Sequence, residues 1–461
     1  PPTAVPAGWV TYKVQSGDRI QQIAIWYGVT WADIISANGL DGYGTIRVGT
    51  PDLPAPDTNQ HNENVKIANN RIIANAGTNL AGGIGLFAGS DGYEISGNDI
   101  CGNYSLEYGG GVSVYGRSPD GRIHHNRIFL NESVDEGGGI MLAGSLPADP
   151  DALSTGTGPV DVYANRIQAN LSNDDGGGIR FLMAGNFTFN VYNNVIANNI
   201  STHEGGGVAL NDAPNVRFYN NTVVKNLTTA TAMTSNGQPA PAGLSTTLNS
   251  NLLQATLPNN APSYSIPLMF NNIFWDNRAG SYNMNGGVSG IGLPGDAASI
   301  YRWDVGTFGH LVQLPLSYSF LSANPDTRDY RDPLNTTNRI GIDPLFVSTY
   351  DTTIEVQPWR INPRFVGATI VAQDVPPTMM GNYHLQAGSP AINVGTPLMP
   401  GAPGIGQPYP NVPRPTPDID GDARVLPVDV GADERGARNF FVLVLPDSQA
   451  YDVVYLPNLL R

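Results

Sequence analysis

"NRIFLNESVDEGGGIMLAG", Asn126 to Gly144, sets two asparagines five positions apart, an acidic pair against three glycines, and an apolar alternation that resumes at Ile140. The acidic pair could be the working part of an enzyme, a cation site or the corner of a scaffold, and recurrence separates these readings. The stretch recurs. Units opening at Asn70, Asn98, Asn126, Asn165, Asn194, Asn221 and Asn272 each carry a second asparagine five positions on, at Asn75, Asn103, Asn131, Asn170, Asn199, Asn226 and Asn277. Five of them continue into a small-residue cluster beginning at Ala81, Gly109, Gly137, Gly176 or Gly205, at intervals of 28, 28, 39 and 29 residues. The long interval holds "SLPADPDALSTGTG", Ser145–Gly158, which reads as an inserted loop.

A period near 28 is too short for a propeller blade and lacks the helical periodicity of ankyrin or tetratricopeptide units. Three short strands fill it: an "NxI" strand with its Asn turn, a "GGGIxL" strand, and one such as "VDVYAN". Stacked coils pair equal strands in parallel about 4.8 Å apart, bury Ile and Val, and align side-chain amides from rung to rung. The predicted fold is mainly β, a parallel β-helix solenoid over residues 65–300. Five of the second asparagines also read as glycosylation sequons, but the ladder already accounts for them.

The repeat resembles the right-handed parallel β-helix of pectin-lyase-like proteins, particularly bacterial surface proteins with "NxIxxN" and "GGGI" repeats. That resemblance implies the fold and little about activity, because the same fold carries lyases, hydrolases, adhesins and structural spikes. Residues 301–438 are expected to hold terminal coils and a loop-rich closing segment, in which "SYSFLS", "IGIDPLFV", "GNYHLQAGSPAINVGTP" and "DIDGDARVLPVDVGADE" resemble the closing segment of secreted β-helix proteins of the choice-of-anchor type. Residues 439–461 contain two apolar runs, Phe440–Leu445 and Val453–Leu460, too short to span a bilayer. They are expected to cap the solenoid as a hairpin or to offer strands to another copy of the chain.

The N-terminal stretch reads as β-α-α-β, with Ser16 and Thr30 as helix caps and "TIRVG" as the closing strand. Val14, Gly17-Asp18, Ile23-Ala24, Tyr27-Gly28-Val29, Asn38-Gly39-Leu40, Val48-Gly49 and Leu53-Pro54 together resemble a LysM module, assigned to 1–54 with a Pro-rich linker at 55–64. The resemblance implies binding of peptidoglycan or another amino-sugar polysaccharide. It places Gly17, Asp18, Arg19 and Ile20 on one wall of the groove and Leu40 and Ile46 on the other. The extra "DGYG" at 41–44 departs from the family pattern and puts Tyr43 where it could stack on a sugar face.

A formal charge of −15 repels phosphate backbones and anionic lipid heads, so no nucleic-acid partner is expected. No apolar run is long enough for a transmembrane helix. The single cysteine, Cys101, permits no internal disulfide and reads as a small apolar filler. The opening "PPTAVPAGWV" suggests a processed, secreted form, extracellular or attached to the cell envelope.

Before the glycines, stacking is expected to put Glu136, Asp175 and Glu204 in one column and Glu107, Asp135 and Asp174 in the next. Like charges about 5 Å apart must diverge into water, share protons or bind a cation, and calcium suits such oxygen clusters. No cofactor is required by this reading; calcium is the one the carboxylates would admit. The enzymatic alternative makes one carboxylate a general acid and its neighbour a base or nucleophile. One-rung spacing is near the ~5 Å of retaining glycosidases and two rungs near the ~9.5 Å limit of inverting ones. For a polysaccharide lyase, Arg180 is the basic residue in the exposed "GGGIxL" position. The catalytic candidates are therefore Asp135, Glu136, Asp174, Asp175, Arg180 and Glu204. A second calcium candidate is "DIDGD", with Asp418, Asp420, Asp422 and Asp429 at the first, third, fifth and twelfth loop positions, but Ala423 stands where the loop needs Gly. A turn closing the last coil is the competing reading. The favoured function is a glycan-binding envelope or matrix protein whose solenoid is a structural or self-assembling surface; the alternative is a secreted lyase or glycosidase.

Overall fold

The structure is a computed structural model that describes residues 9–12, 46–48, 62–77, 80–283, 287–358, 369–374, 381–396, 398–399, 412–413, 417–435 and 454–457. A full coil of the stack has four strands, not three. In one coil these are Val160–Tyr163, Arg166–Gln168, Leu171–Ser172 and Ile179–Leu182. The two-residue third strand escaped the sequence reading because it is too short to show alternation. Among the described residues, parallel pairing from coil to coil builds sheets of nine, nine, seven and eight strands. The register is unbroken across the inserted loop: Ile140, Met141, Leu142 and Ala143 face Ile179, Arg180, Phe181 and Leu182.

The repeated hexad gives both early corners. Each ladder asparagine follows a residue in the left-handed region, such as Ala164 (φ 52°) before Asn165 and Ala169 (φ 54°) before Asn170. The chain bends there, and the asparagine side chain turns inward to satisfy the backbone groups the bend releases. Asn170 Nδ2 donates to Asn199 Oδ1 at 2.9 Å and to Ile128 O at 2.9 Å, and its backbone N–H donates to Asn199 Oδ1 at 3.0 Å. Asn131 makes the same bonds to Asn170. The second ladder ends on Asp304, whose Oδ1 accepts from Asn277 Nδ2 at 2.8 Å. Asn103, Asn131, Asn170, Asn199 and Asn226 are all buried, which removes them as glycan acceptors.

Ile, Val and Phe from the first, second and fourth sheets fill the interior, with Val162, Ile167, Ile179 and Phe181 fully buried. Cys101 is buried and unpaired, as a filler should be. On the outside of the first sheet, His124, Tyr163, Tyr192, Tyr219 and Phe270 stack in a continuous aromatic column with ring centroids 4.6, 4.9, 5.2 and 5.0 Å apart.

Three placements differ from expectation. Ile46–Val48, expected to close the N-terminal module, is the first rung of the fourth sheet, parallel to Ile84–Leu86, and Ile46 packs on the end of the core. Val454–Pro457 in the tail, expected to pair within a hairpin or with another chain, pairs antiparallel with Trp9–Tyr12. The stack itself runs on to Arg339–Ile340. Finally, the closing segment lies beside the stack and not over its last coil. Phe346, Tyr383, Leu385, Ala391, Ile419, Val430 and Ala432 pack against Val195, Ala197, Val224 and Ile273 on the outer face of the second sheet. Lys225 and Arg278 fix this cover through Asp351, at 2.6 and 2.9 Å.

Candidate functional site

The acidic residues occupy the corner between the third and fourth strands. Its first glycine has positive φ, as at Gly137 (74°), which an L-residue resists. The second allows close approach between coils: a Cβ on Gly138 would stand 2.5 Å from Leu171 O and 2.7 Å from Gly177 O. Backbone bonds then run Gly137 N–H to Asp175 O and Gly176 N–H to Glu204 O, so Glu136, Asp175 and Glu204 form one column, as expected. Asp174 N–H to Asp135 O aligns the neighbouring column with Glu107, and His203 extends it.

Sequence reasoning missed the serine two positions after the second asparagine in four repeats, Ser105, Ser133, Ser172 and Ser201. Ser172 Oγ donates to Asp135 O at 2.7 Å and to Asp175 O at 2.8 Å, tying its own corner to the previous one. Ser133 and Ser201 repeat the role. The Asn-x-Ser pattern that looked like a sequon therefore couples a ladder amide to a corner hydroxyl.

Arg180 corrects a second expectation. Its position is not exposed; the residue is 3% exposed, because the outer face of the fourth sheet is covered by its own corners. The guanidinium reaches between coils, with Nε 2.7 Å from Glu136 Oε2 and Nη2 3.0 Å from Asp175 Oδ2. It thus bonds two of the three carboxylates assigned to a calcium column, and the cation between them belongs to the chain. Burial alone would raise Asp175, but Arg180 and His203 outweigh it and hold its carboxyl below the usual range. Glu136 is raised, because burial exceeds the help Arg180 gives it. Glu204 bonds the Ser245 hydroxyl and, desolvated beside Asp175, is pushed up to about 7. Asp135 also reaches about 7, through burial and then the charges of Glu136 and Asp174. Burial would lower His203, but bonds to Asp174 and Asp175 raise it to about 10.

The arrangement is a cationic Arg180 and a protonated His203 interleaved with carboxylates. A retaining or inverting glycosidase needs two carboxyls facing a shared open space. Here Glu136 and Asp175 face one guanidinium and Glu204 faces a hydroxyl, which leaves Asp135 and Asp174 as the partly exposed pair.

The "DIDGD" segment is a docking turn. Asp418 Oδ1 accepts from the backbone of Asp420 and Asp422, and its Oδ2 from that of Glu434. Asp420 pairs with Arg166 at 2.9 Å and with His384, while Asp429 accepts from Asn393 and Arg435 N–H groups. These carboxylates thus accept from backbone donors and pair with Arg166 and His384. Of the predicted glycan wall, Gly17, Asp18, Arg19, Ile20, Leu40 and Tyr43 lie outside the described residues, and Ile46 serves the first rung.

Fold and repeat define a parallel β-helix protein with an internal asparagine ladder. Its N-terminus is a LysM domain: that family matches residues 12–51. No curated protein matches the chain. Among the described residues no helix is long and apolar enough to cross a membrane.

Proposed function

We propose that this protein holds peptidoglycan, or a related polysaccharide containing N-acetylglucosamine, through its LysM domain and presents the β-helix as a structural scaffold at the cell envelope or in the extracellular matrix. The observation that carries this reading is the LysM match over residues 12–51. The acidic corner favours a scaffold role over catalysis, because Arg180 pairs with Glu136 and Asp175 from within the stack and turns both toward the chain's own cation. The negative charge of the chain disfavours anionic lipid and nucleic acid as alternative anchors.

The test is co-sedimentation of the full chain with purified peptidoglycan and with chitin, competed by soluble N-acetylglucosamine oligomers. Binding that the oligomers displace, and that Asp18→Ala with Ile20→Ala weakens tenfold or more, is the expected result. Sedimentation with neither polymer overturns the reading.

A further inference from the structure

The residue before each ladder asparagine stands at its corner in the left-handed region. From Ala74 to Ala169 it is alanine, glycine, histidine or leucine, so the bend itself demands no amide side chain. From the next corner on it is Asn193, Asn198, Asn220, Lys225, Asn271 and Asp276, with φ between 52° and 58° throughout. The change begins at the coil of Val195, where the closing segment first packs on the second sheet.

Five of these six side chains reach the closing segment. Asn193 Nδ2 donates to Pro417 O at 2.6 Å, and its Oδ1 accepts from Arg424 Nη2 at 2.8 Å. Asn198 Nδ2 donates to Tyr350 O and to Thr352 Oγ1, both at 3.0 Å, and its Oδ1 accepts from the Tyr383 hydroxyl. Asn271 exchanges two bonds with the backbone of Thr396, at 2.8 and 2.9 Å. Asn220 Nδ2 donates to Asp429 O at 3.5 Å, and Lys225 pairs with Asp351 at 2.6 Å. The sixth side chain, Asp276, holds Lys225 at 3.0 Å. An amide both donates and accepts, so a single asparagine can grip the segment twice. All four asparagines are buried.

No strand ladder crosses this contact. Among the described residues, the four sheets of the stack end at Arg339–Ile340 or earlier. Beyond them, Phe346–Ser348 pairs with Asn382–Leu385 and Thr353–Pro358 with Thr369–Asp374, each apart from the stack. The segment is instead bonded within itself. Val430 N–H donates to Ala391 O at 3.0 Å, Gly395 N–H to Val428 O at 2.9 Å and Leu385 N–H to Asp433 Oδ2 at 2.9 Å. A body tied to itself in this way, and docked mainly through side chains, opens at a lower cost than unfolding the sheets beneath it.

We infer that residues 346–358, 381–396 and 417–435 form a strap that opens and closes as one unit on an intact β-helix, latched by the asparagines at the left-handed corners. Opening bares Val195, Ala197, Val224 and Ile273, an apolar strip that the closed strap covers. The device stands whether or not the LysM domain binds its glycan.

The experiment is hydrogen–deuterium exchange of the full chain in low guanidinium chloride, read by peptide mass spectrometry. The inference expects peptides from 346–358, 381–396 and 417–435 to exchange together, at least tenfold faster than those from the strands beneath, Val195–Ala197 and Thr222–Val224. Asn198→Ala with Asn271→Ala should speed all three pieces a further tenfold or more and leave those strands unchanged. Alanine already occupies this corner at Ala164 and Ala169, so the bend survives the substitution. Asp351→Asn, which removes an exposed partner of Lys225, is the milder variant and should speed the same pieces several-fold. Unequal rates among the three pieces, or exchange no faster than the strands beneath, overturn the inference in the unaltered chain. Variants that leave the strap unmoved, or speed the strands beneath equally, overturn the latch.

Discussion

Arg180 Nε donates to Glu136 Oε2 at 2.7 Å across the gap between two coils of the stack. The bond sets a cation inside a column of like charges, and most of what is distinctive about the acidic corner follows from it. Removing one partner of a buried pair strands the other, at about 3–5 kcal/mol. Arg180→Met is therefore expected to lower the unfolding free energy by that order in urea titration. Adding Glu136→Gln and Asp175→Asn to it should restore much of the loss, because no buried charge is then left alone. A triple variant no better than Arg180→Met would show that packing, not charge, sets the cost.

The corner also sets a pH dependence. Asp135 and Glu204 have folded values near 7, above their unfolded ones, so between about pH 4 and 7 the folded state binds more protons and stability falls as pH rises. His203, raised to about 10, contributes stability that is complete below its unfolded value near 6.5 and lost as pH climbs through 10. Asp175, held low, acts in the other sense and withdraws its contribution only below its unfolded value near 3.8. Stability to heat should thus peak near pH 4 and decline through pH 8. Asp135→Asn with Glu204→Gln should flatten the slope between pH 5 and 8; an unchanged slope would move its origin elsewhere.

The ladder predicts a cost that depends on position. Asn170 is fully buried, and its loss strands donors on Asn131 and the carbonyl of Ile128. At about 1–3 kcal/mol for each stranded group, Asn170→Ala should cost about 3 kcal/mol or more. Asn75 begins its ladder and is only partly buried, so Asn75→Ala should cost about 1 kcal/mol. Equal losses in chemical denaturation would argue that the amides do not act as a ladder.

Two glycines separate steric from conformational cost. In Gly138→Ala the new Cβ meets backbone oxygens at 2.5 and 2.7 Å, so the coils must part and soluble yield should collapse. Gly102 has φ 62° with nothing within 4 Å of a Cβ, so Gly102→Ala should fold with a loss of about 1–2 kcal/mol. Recovery of Gly138→Ala at normal stability would contradict the tight contact between corners.

Much of this architecture was legible because a solenoid writes its fold repeatedly. The asparagine hexads fixed the coil boundaries, and the glycine clusters fixed the columns that place Glu136 over Asp175. The reach of Arg180 was not legible, since a basic residue in an alternating strand reads as outward and solvated until the corner that covers it is known. The lateral docking of the closing segment left a trace that was passed over. The residue after each first asparagine is charged at Arg71, Asp99, Arg127 and Arg166, then becomes Val195, Thr222 and Ile273 where the segment packs. Ser172 went unread because the ladder seemed to explain its neighbour fully. Periodicity reveals what recurs within a coil, whereas contacts between distant segments depend on partners that no local pattern names.

The most direct test of a glycan-holding scaffold is one incubation of the full chain with labelled peptidoglycan, counting both protein in the pellet and sugar released to the supernatant. The account predicts protein pelleted with the polymer, displaced by N-acetylglucosamine oligomers, and no label released. Protein left in solution, or label released as new reducing or unsaturated ends that Asp135→Asn abolishes, would contradict it.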